Sequence, residues 1–134
     1  YILKIQIEAR IMGDIAKNHI IPAAVEYQNI LIQNAQGLID LLGEKEGREA
    51  AKSQINTIKA ISRHVNAMNE QVDLMIEERK KANKLDDARD MAYAYCDKVK
   101  ATFDEIRYHG DKLEIMVDDE LWPLPKLREL LFTK

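Results

Sequence analysis

The chain has 134 residues, of which 46% are apolar and 32% charged, with five glycines and three prolines. So many apolar residues with so few loop formers exclude intrinsic disorder and indicate a single folded domain, because a chain of this length can bury a real core. The formal net charge of −3 gives no electrostatic reason to bind nucleic acid or an anionic membrane surface, so we expect neither partner.

The ends and the cysteine content indicate where such a chain works. The first residue is Tyr1, and apolar residues at helical spacing already begin at Ile2 and Ile5, so we expect a fragment of a longer chain that starts inside a helix. Cys96 is the single cysteine and no stretch resembles a secretory signal. Both observations favour a protein that works in the reducing cytoplasm.

The first predicted element is a helix over residues 1–42, which Gly43 ends as a left-handed cap. From Ile20 to Leu42, apolar residues cover more than half of its circumference, which predicts the most buried helix. Its polar residues exclude a membrane span. Pro22 removes one backbone hydrogen bond and predicts a kink near residues 18–22; the alternative is a break that divides the helix in two.

The remaining face of this helix carries uncharged amides where a surface helix normally has Lys and Glu. We call Asn18, Asn29, Gln33 and Gln36 the amide stripe. Since the cores of protein interfaces lose charge, we expect the stripe to face protein; the alternative is an ordinary solvated face.

Two further helices are predicted over residues 46–82 and 86–118, where apolar residues recur at alternating spacings of three and four. Asp86 and Asp87 supply the cap and first-turn carboxylates of the third helix, whose apolar repeat is interrupted near His109 and Gly110. Short connections make neighbouring helices antiparallel. The prediction is therefore an all-α domain over residues 1–134, an elongated antiparallel three-helix bundle.

The tail, residues 119–134, contains Trp122 and two prolines, Pro123 and Pro125. The prolines prevent a regular helix at that point. So much apolar surface is not expected to remain in water, so we expect the tail to pack across the bundle or against the rest of a larger protein. Trp122, Pro123 and Pro125 therefore join the amide stripe as candidate docking residues.

The side chains that could carry chemistry are few. His19, His64 and His109 lie one per predicted helix, but none has another histidine at helical spacing, so ordinary polar histidines are expected in place of a zinc site. The carboxylates of residues 118–120 favour a solvated acidic turn over a cation site. Cys96 adjoins Tyr95 and is expected to be buried. We assign no catalytic, cofactor-binding or metal-binding residue.

Two stretches carry a resemblance to a known family. The first is Ile7-Glu8-Ala9-Arg10, Gly13-Asp14, Asn18-His19-Ile20-Ile21-Pro22-Ala23-Ala24 and Tyr27-Gln28-Asn29. The second is Ile106-Arg107-Tyr108-His109, Asp111-Lys112-Leu113-Glu114 and Asp118-Asp119-Glu120-Leu121-Trp122-Pro123-Leu124-Pro125-Lys126. Together they resemble the C-terminal region of type III glutamine synthetases, the large bacterial form of that enzyme.

This resemblance implies a cytoplasmic homo-oligomeric enzyme that joins ammonia to glutamate with ATP and Mg²⁺ or Mn²⁺. The family's metal, ATP and glutamate contacts lie upstream of Tyr1, so the resemblance carries none of them onto this chain, and no cofactor is expected in the fragment itself. Its expected partners are the catalytic domain of the same chain and neighbouring subunits.

Three functions remain open at this point. The first is a non-catalytic structural and interaction domain of that synthetase. The second is a regulatory domain of the same enzyme that binds an effector or a partner protein. The third sets the resemblance aside and treats the chain as a free-standing helical adaptor.

Overall fold

The computed structural model describes residues 1–124, so Pro125 and the rest of the predicted tail lie outside the described residues. The described chain is all helical and has no strand, which confirms the predicted fold class. None of its helices combines the length and apolarity that a membrane crossing needs. The α-helices are α1 (Ile2–Ile15), α2 (Ile21–Leu42), α3 (Glu44–Ala50), α4 (Lys52–Asn83), α5 (Ala88–Ala94) and α6 (Phe103–Met116).

The irregularity expected near Pro22 takes the form of a π turn at Ala16–Ile20, between α1 and α2. There the Ile21 N–H donates to the Ala16 carbonyl, one residue further back than in an α-helix. A wider turn accommodates a proline that has no N–H and whose ring crowds the preceding turn. The chain is therefore helical from Ile2 to Leu42 with one inserted residue.

The region after α2 differs from the predicted helix over 46–82, because a short helix, α3, comes first and the chain bends at Ala51 before α4 begins. Gly43 ends α2 with φ 91°, a left-handed conformation that glycine adopts without steric cost. Gly47 lies buried against α2, so close that a Cβ on it would be 2.3 Å from the Ile39 Cα. The absence of a side chain at Gly47 lets α3 fold back onto α2.

The third helical segment is also more divided than expected. Asp87, one of the two aspartates expected at the start of this helix, caps α5, with its carboxylate accepting from the N–H groups of Arg89 and Asp90. A second π turn (Tyr95–Val99) and a 3₁₀ turn (Lys100–Thr102) then precede α6. α6 continues through His109 and Gly110, where the apolar repeat of the sequence is interrupted; Gly110 is buried where α6 approaches Met68 and Ile20.

The core is formed where α4 packs against α2, α6 and the second π turn, with α1 against the same π turn and α6. Tyr95 is fully buried at its centre, and its hydroxyl accepts from Gln6 Nε2 at 2.9 Å and donates to Asn83. One residue further on, Cys96 is exposed, so its predicted burial is wrong. The π turn directs Tyr95 and Val99 inward and turns Cys96 toward solvent.

Candidate functional site

The amide stripe lies on the surface of the molecule. Asn29, Gln33 and Gln36 are exposed on α2, and Asn18 is exposed on the first π turn, where its amide donates to Asp14 Oδ1 at 2.7 Å. Because the π turn inserts a residue between α1 and α2, Asn18 does not continue the stripe at regular helical spacing. The three amides of α2 are available for a partner.

The start of the tail packs into the domain and does not form an exposed docking segment. Asp118 forms a turn after α6, accepting from the Glu120 N–H through its carboxylate and from the Trp122 N–H through its carbonyl. That turn carries Trp122 into the core, where only 8% of its surface stays exposed, while Pro123 is exposed. Trp122 therefore anchors the tail inside the domain.

Beside Trp122 lies an open apolar cleft of about 350 Å³ between α1 and α6. Ile15, Ile20, Met68 and Ile106 line it, and charged side chains stand at its borders. The indole N–H of Trp122 is buried and has no hydrogen-bond partner within the described part of the chain. Apolar clefts with an isolated donor are typical of sites that receive a side chain or a small ligand.

An apolar ridge on α1 was missed by the reasoning from sequence. Leu3, Ile7 and Ile11 are 66%, 49% and 54% exposed; we call these three residues the α1 ridge. Their spacing of four residues puts them on one side of the helix. That spacing is visible in the sequence, but the three residues were not singled out as an exposed face.

The three histidines separate into a pair and a single residue. His64 on α4 and His109 on α6 meet with their Nδ1 atoms 2.9 Å apart, and His109 Nε2 lies 3.6 Å from Glu105 Oε2. His19 instead lies 3.6 Å from Asp14. Within residues 1–124, no three His, Cys, Asp or Glu side chains form a group that could hold a metal ion.

The histidine pair disfavours protonation of His64. Burial lowers the pKa of His64, and the charges of His109, Arg63 and Lys112 lower it further. One imidazole must donate a hydrogen bond and the other must accept it across the 2.9 Å contact between the Nδ1 atoms. At least one of His64 and His109 must therefore be neutral.

We expect the domain to lose stability as the pH falls below about 6.5, the ordinary histidine value. Above that pH His64 is neutral in both the folded and the unfolded chain; below it the unfolded chain binds the proton more readily, which favours unfolding. Melting temperatures measured between pH 7.5 and 5.0 should fall by several degrees more in the wild type than in His64→Gln. His19→Gln, which changes an exposed histidine, should behave as the wild type does. Equal pH dependence in His64→Gln and the wild type would contradict the assignment.

Comparison with known proteins identifies sequences that are similar to this chain. Residues 1–38 match the sequence model of the glutamine synthetase C-terminal domain. The whole chain is 45% identical to a glutamine synthetase from Bacteroides fragilis and 22% identical to a type-3 glutamine synthetase from Dictyostelium discoideum.

The chain spans 18% of the length of each of these relatives, and the match falls in their C-terminal part. The resemblance to the C-terminal region of glutamine synthetases is therefore confirmed, over the whole chain by the two relatives and over residues 1–38 by the family model.

Proposed function

We propose that this chain is a non-catalytic structural and interaction domain at the C-terminus of a type III glutamine synthetase. The observation that carries this proposal is the 45% identity over all 134 residues to a glutamine synthetase of which the chain spans only 18%. The type III assignment is supported by the name of the Dictyostelium relative, which matches over the same length.

In this proposal the full-length protein is a cytoplasmic homo-oligomer that makes glutamine from glutamate, ammonia and ATP, with Mg²⁺ or Mn²⁺. The residues that bind ATP, metal and glutamate belong to the catalytic body outside this chain. The partners of the domain are that body and neighbouring subunits, and neither nucleic acid nor a membrane is involved.

The architecture that goes with this role is an elongated antiparallel bundle of three helical segments. Side-chain contacts between α2 and α4 support it, because Gln28 donates to Ser62 Oγ at 2.7 Å while Gln54 donates to Asn34 at 2.7 Å. Residue numbers that rise along α2 as they fall along α4 indicate an antiparallel pair. Such a bundle is stiff enough to hold a docking surface in a fixed orientation.

The experiment that tests this proposal compares the 134-residue chain with the full-length protein. We expect the chain alone to be helical by circular dichroism but to form no γ-glutamyl product with glutamate, ATP and Mg²⁺, because the groups that bind those substrates lie elsewhere. The full-length protein in the same assay should make glutamine.

The isolated chain and the full-length protein test two different parts of the proposal. Turnover by the isolated, folded chain would contradict the non-catalytic role. A full-length protein that folds and assembles but makes no glutamine would instead contradict the assignment of the parent enzyme.

A further inference from the structure

The α1 ridge faces away from the domain that carries it. Ile5 and Ala9, on the other side of α1, are 3% and 2% exposed and fix the helix to the core. Leu3, Ile7 and Ile11 consequently present their side chains to the outside. Isolated exposed apolar residues are common, but three at successive turns of one helix form a continuous strip.

The strip also continues into the cleft. Ile11 borders the cleft, and Ile15 follows it one helical turn further on. The ridge and the cleft together form one apolar surface along α1, with a recess at its end that can receive a protruding side chain. Binding sites between proteins concentrate their affinity at such recesses.

We infer that the α1 ridge is the surface on which this domain docks against the catalytic body that precedes Tyr1 in the same polypeptide, an inference that rests on the function proposed above. Both relatives are matched in their C-terminal part over 18% of their length. The remaining part of such a protein therefore precedes the segment that corresponds to α1.

Proximity along the chain favours this occupant over any other. The ridge begins at Leu3, so the preceding polypeptide joins α1 within one helical turn of it, and linked partners meet at a high effective concentration. The charged side chains of α1 are of both signs, because Lys4 and Arg10 alternate with Glu8 and Asp14. A surface with balanced charge at its edges suits apolar packing better than attraction to a highly charged partner.

The family model provides a further observation. It matches residues 1–38, a segment that contains the whole ridge. Within the matched segment the ridge is the longest exposed apolar strip, whereas Asn29, Gln33 and Gln36 on α2 are polar. The amide stripe therefore serves as the comparison surface in a test.

The test is cysteine labelling of the full-length protein in a Cys96→Ser background, with any other reactive thiols also removed. Cys96 is exposed and would otherwise react. Ile7→Cys and the control Gln33→Cys are each treated with a maleimide under native conditions, and the rates are compared with those after denaturation. We expect Ile7→Cys to react at least tenfold more slowly than Gln33→Cys in the native protein. In the 134-residue chain alone, both should react rapidly.

Several outcomes would overturn the inference. Equal native rates at the two positions would show that the ridge is uncovered, and slow labelling of Gln33→Cys alone would move the contact to the amide stripe. Disulfide-linked dimers through Ile7→Cys would identify a second copy of the chain as the occupant. If Ile7→Cys fails to assemble, Ile11→Cys repeats the measurement one turn along.

Failure of the inference is distinguishable from failure of the proposed function. If the labelled full-length protein makes glutamine but leaves Ile7→Cys reactive, only the docking surface is wrong. If it makes no glutamine although it is folded, the parent assignment itself fails.

Discussion

Replacing Gly47 with alanine is expected to destabilise the domain by about 3 kcal/mol, the upper end of the usual cost of overpacking, because the added atom meets fixed backbone. The added Cβ would lie 2.3 Å from the Ile39 Cα and 2.8 Å from the Leu38 carbonyl oxygen. All of these atoms belong to the backbone of α2, so no side chain can rotate to make room. The connection between α2 and α4 would have to open, which we expect urea unfolding followed by circular dichroism to detect.

Gly37→Ala is the matched control for that measurement. Gly37 lies within α2, is exposed, and would have nothing within 4 Å of its new Cβ. Alanine in an unobstructed helix position should stabilise the domain by about 0.5 to 1 kcal/mol. If Gly47→Ala unfolds at the same urea concentration as Gly37→Ala, the close approach of α3 to α2 is contradicted.

Replacing Trp122 with alanine is expected to have an effect of similar size, about 3 kcal/mol, because it empties a buried aromatic site. The ring is 92% buried against a core that includes Val117, and the turn capped by Asp118 holds it there. Trp122→Phe should cost less, since the indole N–H has no hydrogen-bond partner within the described residues to lose. Urea unfolding of both variants, with exposed Pro123→Ala as the control, measures the difference.

Two deletions that differ in whether Trp122 is kept distinguish anchoring inside the domain from anchoring to the rest of the full-length protein. Deletion of residues 122–134 removes the internal anchor and everything after it, whereas deletion of residues 125–134 leaves Trp122 in place. If the tail also anchors the domain to its parent, both deletions should reduce assembly of the proposed homo-oligomer and its activity, as measured by analytical ultracentrifugation and glutamine formation. An unchanged oligomer size and unchanged activity after the longer deletion would contradict a role for the tail in assembly.

Much of the fold follows from local chemistry that a single sequence displays. The helical class followed from apolar spacing, and two boundaries followed from residue types with a specific backbone role. Gly43 adopts the left-handed conformation expected of it, and Asp87 accepts the N-terminal N–H groups of α5. Pro22 likewise marked the irregular part of the first helix, since its missing N–H must be accommodated wherever it lies.

What the sequence did not reveal depends on contacts between segments far apart in the chain. Glycine disfavours helices, yet α6 continues through Gly110, which is buried in the contact of α6 with Met68 and Ile20. The meeting of His64 with His109 depends on the packing of α4 against α6, which spacing alone does not give. Cys96 was placed on the buried side of its helix for the same reason, although it is exposed.

The predicted docking residues lie in different environments. The amides of α2 lie on the surface, but Trp122 belongs to the core and the α1 ridge was not singled out. A long apolar face in a sequence looks the same whether it packs inside its own domain or against another one. Only the positions of the neighbouring helices distinguish the two cases.

Each π turn changes which side chains of the following helix face the core, because it adds one residue to a helical turn. Ile5 and Ala24 are both buried although 19 residues separate them, one more than five regular turns contain. In the third segment the extra residue of the π turn is cancelled by the tighter 3₁₀ turn behind it, so Tyr95 and Leu113, 18 residues apart, share the core. The first segment has no such cancellation. Removing a single residue from Ala16–Ile20 would leave a regular helix but rotate the α1 ridge by about 100° relative to α2, so the length of that turn sets the direction in which the domain presents its apolar strip.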